Sequence, residues 1–163
     1  MIYTIPPEFI LNYQADTPLE DMIAPTSIWC FPVLVNGESC TLLMVDLMDG
    51  VWKALGIGSS GIAKQWAAVN RVRYSAEGYT TRFVRIFQAT ADFVILSHRT
   101  AASKMIPLES ARATLELDRI GEKYAPSKII PDLQQTVREN LEASKSFILS
   151  LSDFENLLDN QSE

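Results

Sequence analysis

The sequence predicts one α+β domain over residues 1–163, with an antiparallel sheet packed against helices. Two hairpin-type dipeptides, Asn36-Gly37 and Asp49-Gly50, separate three apolar runs, and a second pair of apolar runs is joined by the short segment 89–91. The last third has the spacing of amphipathic helices. A chain of 163 residues with 47% hydrophobic and 21% charged residues is typical of one globular domain with a sizeable core.

The first elements are two predicted short helices. Pro6-Pro7-Glu8 precedes the apolar residues of 9–13, which indicates a helix start. Thr17-Pro18-Leu19-Glu20 has the pattern of a capping box with proline at the first helical position. Pro25 is expected to end this second helix, because proline cannot continue the hydrogen-bond ladder.

Residues 28–57 predict a three-stranded antiparallel meander. The strands cover 28–35, 40–47 and 51–57, and the two Gly-containing turns connect them. If Asp49-Gly50 is a two-residue loop, Leu47 lies opposite Trp52. Asp46 then lies opposite Lys53, and this pairing predicts a cross-strand ion pair.

A helix and a hairpin follow the meander. Ser59 or Ser60 is expected to cap a helix over about 61–75, whose apolar residues recur at helical spacing. Strands over 80–88 and 92–99 form the predicted hairpin 80–99. Apolar residues on both faces of these strands indicate a central place in the sheet.

The C-terminal third is predicted to be helical. A helix is expected to start at Pro107 and to end before Gly121, and 126–131 is expected to be a connector. A longer helix over 131–151 follows, and a capping box at Ser152 is expected to open a last turn. Residues 160–163 are expected to fray.

Charge and composition restrict the partners. The net charge is −6, divided as −6 over 1–63, +5 over 64–104 and −5 over 105–163. An acidic chain without a known nucleic-acid-binding motif predicts no nucleic-acid partner, because phosphate contacts dominate that affinity. Without an apolar run of about 20 residues, no membrane partner is predicted. Without a signal-peptide pattern at the N-terminus, a cytoplasmic location is the expectation.

The stretch from Gly56 to Gly61 reads G-x-G-x-x-G and precedes a predicted helix. A dinucleotide site needs a parallel strand before this motif and an acidic residue about 20 positions after it. Here the preceding strand is predicted to be antiparallel, and 82–83 carries no carboxylate. The motif also lacks the Lys-Ser/Thr of a phosphate-binding loop. It is therefore interpreted as a flexible strand-to-helix corner, and no cofactor is predicted.

The same corner is the predicted binding site. Hydroxyls and free N–H groups at a helix start bind anions, so Ser59, Ser60 and Gly61 are expected to contact a carboxylate or phosphate. Arg82 and Arg85 are expected to complete the site if their strand lies beside it. The predicted partner is an anionic small molecule or a protein.

Other reactive residues indicate no catalytic or metal site. Cys30 and Cys40 are predicted to be free thiols, since the expected register separates them, and no Cys/His cluster suggests zinc. His98 is the only histidine and is interpreted as a strand-end residue. Three tryptophans are expected to belong to the core: Trp29, Trp52 and Trp66.

These observations predict a non-catalytic binding or protein-interaction domain. One alternative is a small hydrolase or transferase in which His98 activates Cys30, Cys40 or a serine. Another is an oligomerisation or scaffold protein, possible as a homo-oligomer, whose helix over 131–151 packs against a partner.

Overall fold

The computed structural model describes the backbone of residues 1–72 and 74–159, and the side chains of 1–72 and 74–147. Its strands are β1 (Tyr3–Thr4), β2 (Ala24–Pro25), β3 (Trp29–Val35), β4 (Glu38–Met48), β5 (Val51–Gly58), β6 (Tyr79–Ile86), β7 (Ala91–His98) and β8 (Lys104–Pro107). Its α-helices are α1 (Pro7–Leu11), α2 (Ser60–Arg71), α3 (Glu109–Thr114) and α4 (Pro126–Asp159). Short 3₁₀ helices cover Leu19–Met22, Tyr74–Glu77 and Phe87–Ala89. The predicted α+β class is confirmed.

The larger sheet has five strands in the order β2-β1-β6-β7-β8. β6 and β7 form the predicted hairpin, and β1 joins β6 in the one parallel pairing of this sheet. All residues of β7 are buried except His98, which confirms its central position. Alternate side chains of β7 enter two different cores, because successive residues of a strand point to opposite faces.

The smaller sheet is the predicted meander, in the order β3-β4-β5. Between β4 and β5 the register near the turn is the predicted one: Leu47 lies opposite Trp52 and Asp46 opposite Lys53. Further from the turns both pairings shift, between Met44 and Val45 in β4–β5 and between Val33 and Leu34 in β3–β4, so the register predicted for the first pair holds only next to its turn. The predicted ion pair between Asp46 and Lys53 is wrong, since it is not among the ion pairs of the described residues. The Asp46 carboxylate instead accepts a hydrogen bond of 2.8 Å from the N–H of Leu47.

The two sheets form separate layers and are not one continuous sheet. The five-stranded sheet lies in the middle. One of its faces contacts the helix-side core, which includes Ile5, Ile10, Val84, Phe93, Ile95, Ile130, Leu133 and Val137. Its other face contacts the sheet-side core, which includes Leu42, Ile62, Ala63, Val69, Phe83, Val94, Leu96 and Ile106. The sheet-side core is closed by α2 and by the inner face of β3 and β4.

Several boundaries differ from the prediction. Thr17 does not cap a helix; its hydroxyl accepts a hydrogen bond from the N–H of Gln14, and a 3₁₀ helix starts at Leu19. Ser59 occupies the N-cap position of α2 in the left-handed region, without a side-chain capping bond. The predicted helix start at Pro107 is wrong, because Pro107 ends β8.

The predicted connector at 126–131 is also wrong. α4 begins at Pro126 and contains Pro131 as an internal residue. Ile129 and Ile130 are completely buried in the helix-side core, and this burial favours a helical conformation before the proline. The helix continues through Ser152, so the separate turn predicted there does not form. The fraying prediction for 160–163 lies outside the described residues.

Candidate functional site

The outer face of the three-stranded sheet carries a group of exposed apolar side chains. Trp29 lies opposite Val45, Phe31 opposite Leu43, Leu43 opposite Ile57, and Leu47 opposite Trp52. Directly opposed residues of paired strands project to the same side of a sheet. We call this surface the aromatic face; it consists of Trp29, Phe31, Leu43, Val45, Leu47, Trp52 and Ile57.

Three aromatic rings are organised on this face. Trp29 stacks on Phe31 with ring centroids 6.4 Å apart and an interplanar angle of 12°. Trp52 meets Trp29 edge to face at 6.5 Å and 81°. With Val45 they line an apolar hollow of about 370 Å³. The rings support one another and so present a fixed surface to the outside.

The aromatic face is open to solvent. Exposed fractions are 37% for Trp29, 48% for Phe31, 56% for Trp52 and 66% for Ile57. With about 200 Å² of side-chain surface per aromatic residue, the three rings alone expose roughly 280 Å². The largest apolar patch on a typical monomer is about 300–600 Å² and is often functional, so the exposed area of these rings is in the ordinary range.

The prediction that all three tryptophans belong to the core is therefore wrong for two of them. Trp66 is half-buried and packs edge-on against Phe83 of the sheet-side core, at 5.6 Å between centroids. Trp29 and Trp52 are on the aromatic face, where no described element covers them. The register alone did not show this, because it fixes which residues share a face and not which face is covered.

The glycine corner has its own carboxylate. A Cβ atom at Gly61 would overlap the carboxylate of Glu109, which lies beside the first turn of α2. The N–H of Glu109 donates a hydrogen bond of 2.7 Å to the side-chain oxygen of Gln65, and this bond fixes α3 near α2. A negative group at a helix N-terminus is favourable. The chain thus supplies a carboxylate at the corner where the sequence predicted an external anion.

The two predicted arginines lie on different sides of the five-stranded sheet. They are three positions apart in β6 and therefore project to opposite faces of the five-stranded sheet. Arg82 donates a hydrogen bond of 3.2 Å to the Ser97 hydroxyl, and its guanidinium carbon lies 5.6 Å from the ring centroid of Tyr3. Arg85 lies on the other face, where its Nη1 atom is 3.5 Å from Sδ of Met44, the residue opposite Gly56. The structure therefore does not place Arg82 and Arg85 together beside Ser59, Ser60 and Gly61.

Arg85 is held by a buried carboxylate. Its Nε and Nη2 atoms donate to the two carboxylate oxygens of Asp92, at 2.7 and 3.0 Å. The hydroxyl of Ser110 donates a third hydrogen bond to Asp92, at 2.8 Å. The hydrogen bond to Asp92 raises the pKa of Arg85 above its ordinary value, although burial acts in the opposite direction. This bidentate pair engages the positive charge of Arg85 inside the fold.

His98, the base of the hydrolase alternative, accepts hydrogen bonds from backbone groups of its own loop. The backbone N–H groups of Thr100 and Ala101 donate to Nδ1 of His98, at 3.1 and 3.0 Å. Within the described residues, no hydrogen bond joins His98 to a cysteine or a serine. Cys30 and Cys40 are free, as predicted, and burial raises the pKa of the Cys30 thiol. A raised pKa disfavours the nucleophilic thiolate.

No known protein family, curated protein or solved structure is significantly similar to this chain. Among the described side chains of 1–72 and 74–147, no group of three or more His, Cys, Asp or Glu is arranged to hold a metal ion. None of the described helices combines the length and apolarity needed to cross a membrane.

Proposed function

We propose that this protein is a non-catalytic interaction domain whose contact surface is the aromatic face. The observation that carries the proposal is the exposure of Trp29, Phe31 and Trp52 together on one uncharged side of a sheet. Tryptophan and other aromatic residues dominate the energetics of protein interfaces. A side chain that costs free energy to expose is best explained by a surface that a partner covers.

The occupant that we propose is a second copy of this chain. The aromatic face carries both a hollow, lined by Trp29, Phe31, Val45 and Trp52, and an exposed aliphatic side chain, Ile57. In a two-fold dimer each copy presents the same surface, so the hollow of one copy and the exposed Ile57 of the other can pack reciprocally. Two sheets pack face to face at about 10 Å, a spacing that side chains of this size fill.

The aromatic face offers a charged partner no complementary charge. The aromatic face contains no ionisable residue, while each copy carries a net charge of −6. Two copies repel each other at long range, and salt screens that repulsion. Association through an apolar face is therefore expected to strengthen as salt is added, whereas docking of a basic partner would weaken.

The expected dimer is weak. A standard interface buries about 800 Å² on each partner, and the aromatic rings supply roughly a third of this with their 280 Å². The aliphatic members of the aromatic face add further apolar area: Leu43, Val45, Leu47 and Ile57. A small interface of this kind is expected to have a dissociation constant at or above about 1 μM.

Sedimentation velocity over a range of protein concentrations tests the proposal. The wild-type chain is expected to shift from monomer to dimer, and Trp52→Glu is expected to remain monomeric. Ile120→Glu is the matched control, since Ile120 is equally apolar and 75% exposed but lies outside the aromatic face. A wild-type chain that is monomeric at every concentration, or a Trp52→Glu variant that still dimerises, would refute the proposal.

The other functions predicted from the sequence receive less support. For the scaffold alternative, Leu133 and Val137 of the 131–151 helix already pack in the helix-side core. Its positions 148–151 lie beyond the described side chains. For the hydrolase alternative, His98 contacts backbone groups of its own loop. The exposed apolar side chains of the aromatic face, by contrast, are not covered by any described element of the fold.

A further inference from the structure

We propose that a cavity between α2 and β8 binds a small neutral molecule that consists of one aromatic ring and a hydroxyl group. The cavity has a volume of about 210 Å³. We call it the α2 cavity, and six of its lining residues are Ala68, Val69, Tyr74, Ile106, Pro107 and Leu108. It shares no residue with the aromatic face. Its occupation is therefore independent of the proposed dimer.

The volume of the α2 cavity limits the size of its ligand. In other proteins, an apolar cavity of about 150 Å³ holds one benzene molecule. The α2 cavity is somewhat larger, so it accommodates one ring with a substituent of about two heavy atoms. It is smaller than the sites of drug-sized molecules, which begin at about 300 Å³. A single ring therefore fits better than a ligand with two rings.

The walls of the α2 cavity favour an aromatic ring. Val69, Ile106 and Leu108 belong to the sheet-side core and are at most 9% exposed, so packing holds them in place. Tyr74 is 6% exposed, and the ammonium nitrogen of Lys123 lies 4.5 Å from its ring centroid. This cation–π contact helps to fix the Tyr74 ring. A fixed ring in the wall can pack edge to face against a ligand ring, in addition to the apolar area that the ligand buries.

The lining of the α2 cavity carries no charged side chain within the described part of the chain. None of the described residues that line it is a lysine, arginine, histidine, aspartate or glutamate. A carboxylate or ammonium group placed there would lose its hydration without gaining a counter-charge from the lining. The ligand that matches this cavity is therefore neutral.

Two polar side chains of the lining have a group that is free to bind a ligand. Oε1 of Gln65 accepts a hydrogen bond of 2.7 Å from the N–H of Glu109, and its Nε2 group has no partner among the described residues. The Tyr74 hydroxyl also has no partner within that part of the chain. Neither group is among the polar atoms that are buried without a partner, so both keep accessible surface. A ligand hydroxyl can accept a hydrogen bond from Gln65 and donate one to Tyr74.

The test is a titration of the full chain with benzyl alcohol, followed by two-dimensional amide NMR. We expect saturable shifts at Ala68, Val72 and Gly121, which line the cavity, with half-saturation at about 1 mM or below. Ala68→Leu adds a larger side chain to the cavity wall and is expected to weaken binding about tenfold, because the cavity cannot hold both groups. Ala143→Leu makes the same substitution at an exposed position of α4 and is expected to bind like wild type.

Two related probes test the chemistry of the ligand. Toluene lacks the hydroxyl group and is expected to bind about two- to tenfold more weakly than benzyl alcohol, the value of one hydrogen bond. Tyr74→Phe removes one partner of the ligand hydroxyl and is expected to reduce this preference. Benzoate has nearly the same size but carries a charge, so it is expected to bind more weakly than benzyl alcohol.

The proposal is overturned if benzyl alcohol produces no saturable shifts at the α2 cavity, or produces shifts only at the aromatic face. It is also overturned if Ala68→Leu and Ala143→Leu bind benzyl alcohol equally well, or if benzoate binds as tightly as benzyl alcohol. A Tyr74→Phe variant that keeps the full preference for benzyl alcohol over toluene would contradict it as well. Thermal melting of each variant verifies that the fold is intact.

Discussion

Replacement of Asp92 by asparagine is expected to destabilise the fold strongly. The Asp92 side chain is only 2% exposed, whereas that of its partner Arg85 is 21% exposed. Asparagine has nearly the same size but no charge, so Arg85 would remain largely buried without a counter-charge. In either orientation of the new amide, an N–H group would also face a guanidinium N–H. The Ser110 hydroxyl would lose its bond to a charged acceptor.

The magnitude follows from the burial of the pair. Loss of one partner of a buried ion pair costs about 3–5 kcal/mol. The partial exposure of Arg85 lets water compensate for part of this loss, so we expect about 3 kcal/mol. Domains have a total free energy of unfolding of about 5–15 kcal/mol. The substitution therefore removes a large fraction of the stability without creating a cavity.

Urea denaturation of four proteins measures this effect: wild type, Asp92→Asn, Arg85→Met and the double variant. The double variant is expected to be less destabilised than the sum of the single variants, because it contains no unpaired buried charge. Asp118→Asn is the control on an exposed carboxylate, expected within about 0.5 kcal/mol of wild type. A loss below about 1 kcal/mol for Asp92→Asn, or strict additivity in the cycle, would refute the reasoning.

Three further predictions concern single contacts. Ser39→Ala is expected to raise the free energy of unfolding by about 1 kcal/mol in urea, because it removes an unpaired buried hydroxyl. Burial alone would raise the pKa of Glu20, but hydrogen bonding to Ser103 lowers it below the ordinary value. Glu20→Gln is therefore expected to be less stable than wild type at neutral pH, and thermal melts should show the difference disappear below about pH 4. Gly61→Ala is expected to melt near the wild-type temperature, because the gain in helix propensity opposes the clash of the new methyl group with Glu109. The double variant Gly61→Ala/Glu109→Ala has no such clash, and its free energy of unfolding is expected to exceed that of wild type by up to about 1 kcal/mol.

The meander was predictable because its register depends on local turn chemistry. Asn36 and Gly37 have φ angles of 51° and 81°, and Asp49 and Gly50 have 55° and 75°. A two-residue hairpin turn requires positive φ at both positions, which Asn-Gly and Asp-Gly adopt at low cost. Once the turn is fixed, the pairs that follow it are fixed as far as the first register shift, which lies between Met44 and Val45 in β4–β5 and between Val33 and Leu34 in β3–β4. The register from Met48 down to Val45 could therefore be read from the sequence.

Elements that depend on distant contacts could not be predicted in the same way. β1 has two residues, and it is a strand only because it pairs with β2 and β6 from elsewhere in the chain. The helical conformation at 126–131 depends on the burial of Ile129 and Ile130. Local signals there favoured a connector because of the two prolines. Tertiary burial overrides such propensities.

The sequence could have shown that Arg82 and Arg85 do not share a site, but it could not have shown that Trp29 and Trp52 are exposed. The odd separation of Arg82 and Arg85 in a strand places them on opposite faces, and strand periodicity alone could have shown that they do not share a site. The exposure of Trp29 and Trp52 depends on how many layers cover the meander. Both faces of the meander are apolar in sequence, while the described helices and the five-stranded sheet cover only the inner one.

The G-x-G-x-x-G stretch illustrates how a motif depends on its backbone context. Gly56 and Gly58 are strand residues, paired with Met44 and Leu42, and the Thr41 hydroxyl donates to the carbonyl of Gly58. A Cβ atom on either glycine would meet open space, so neither position needs glycine for a close approach. Only Gly61 has a close neighbour, and that neighbour is a carboxylate of the same chain. Since β5 is antiparallel to β4, the glycine spacing here arises from a strand end and a helix packing contact, not from a dinucleotide fold.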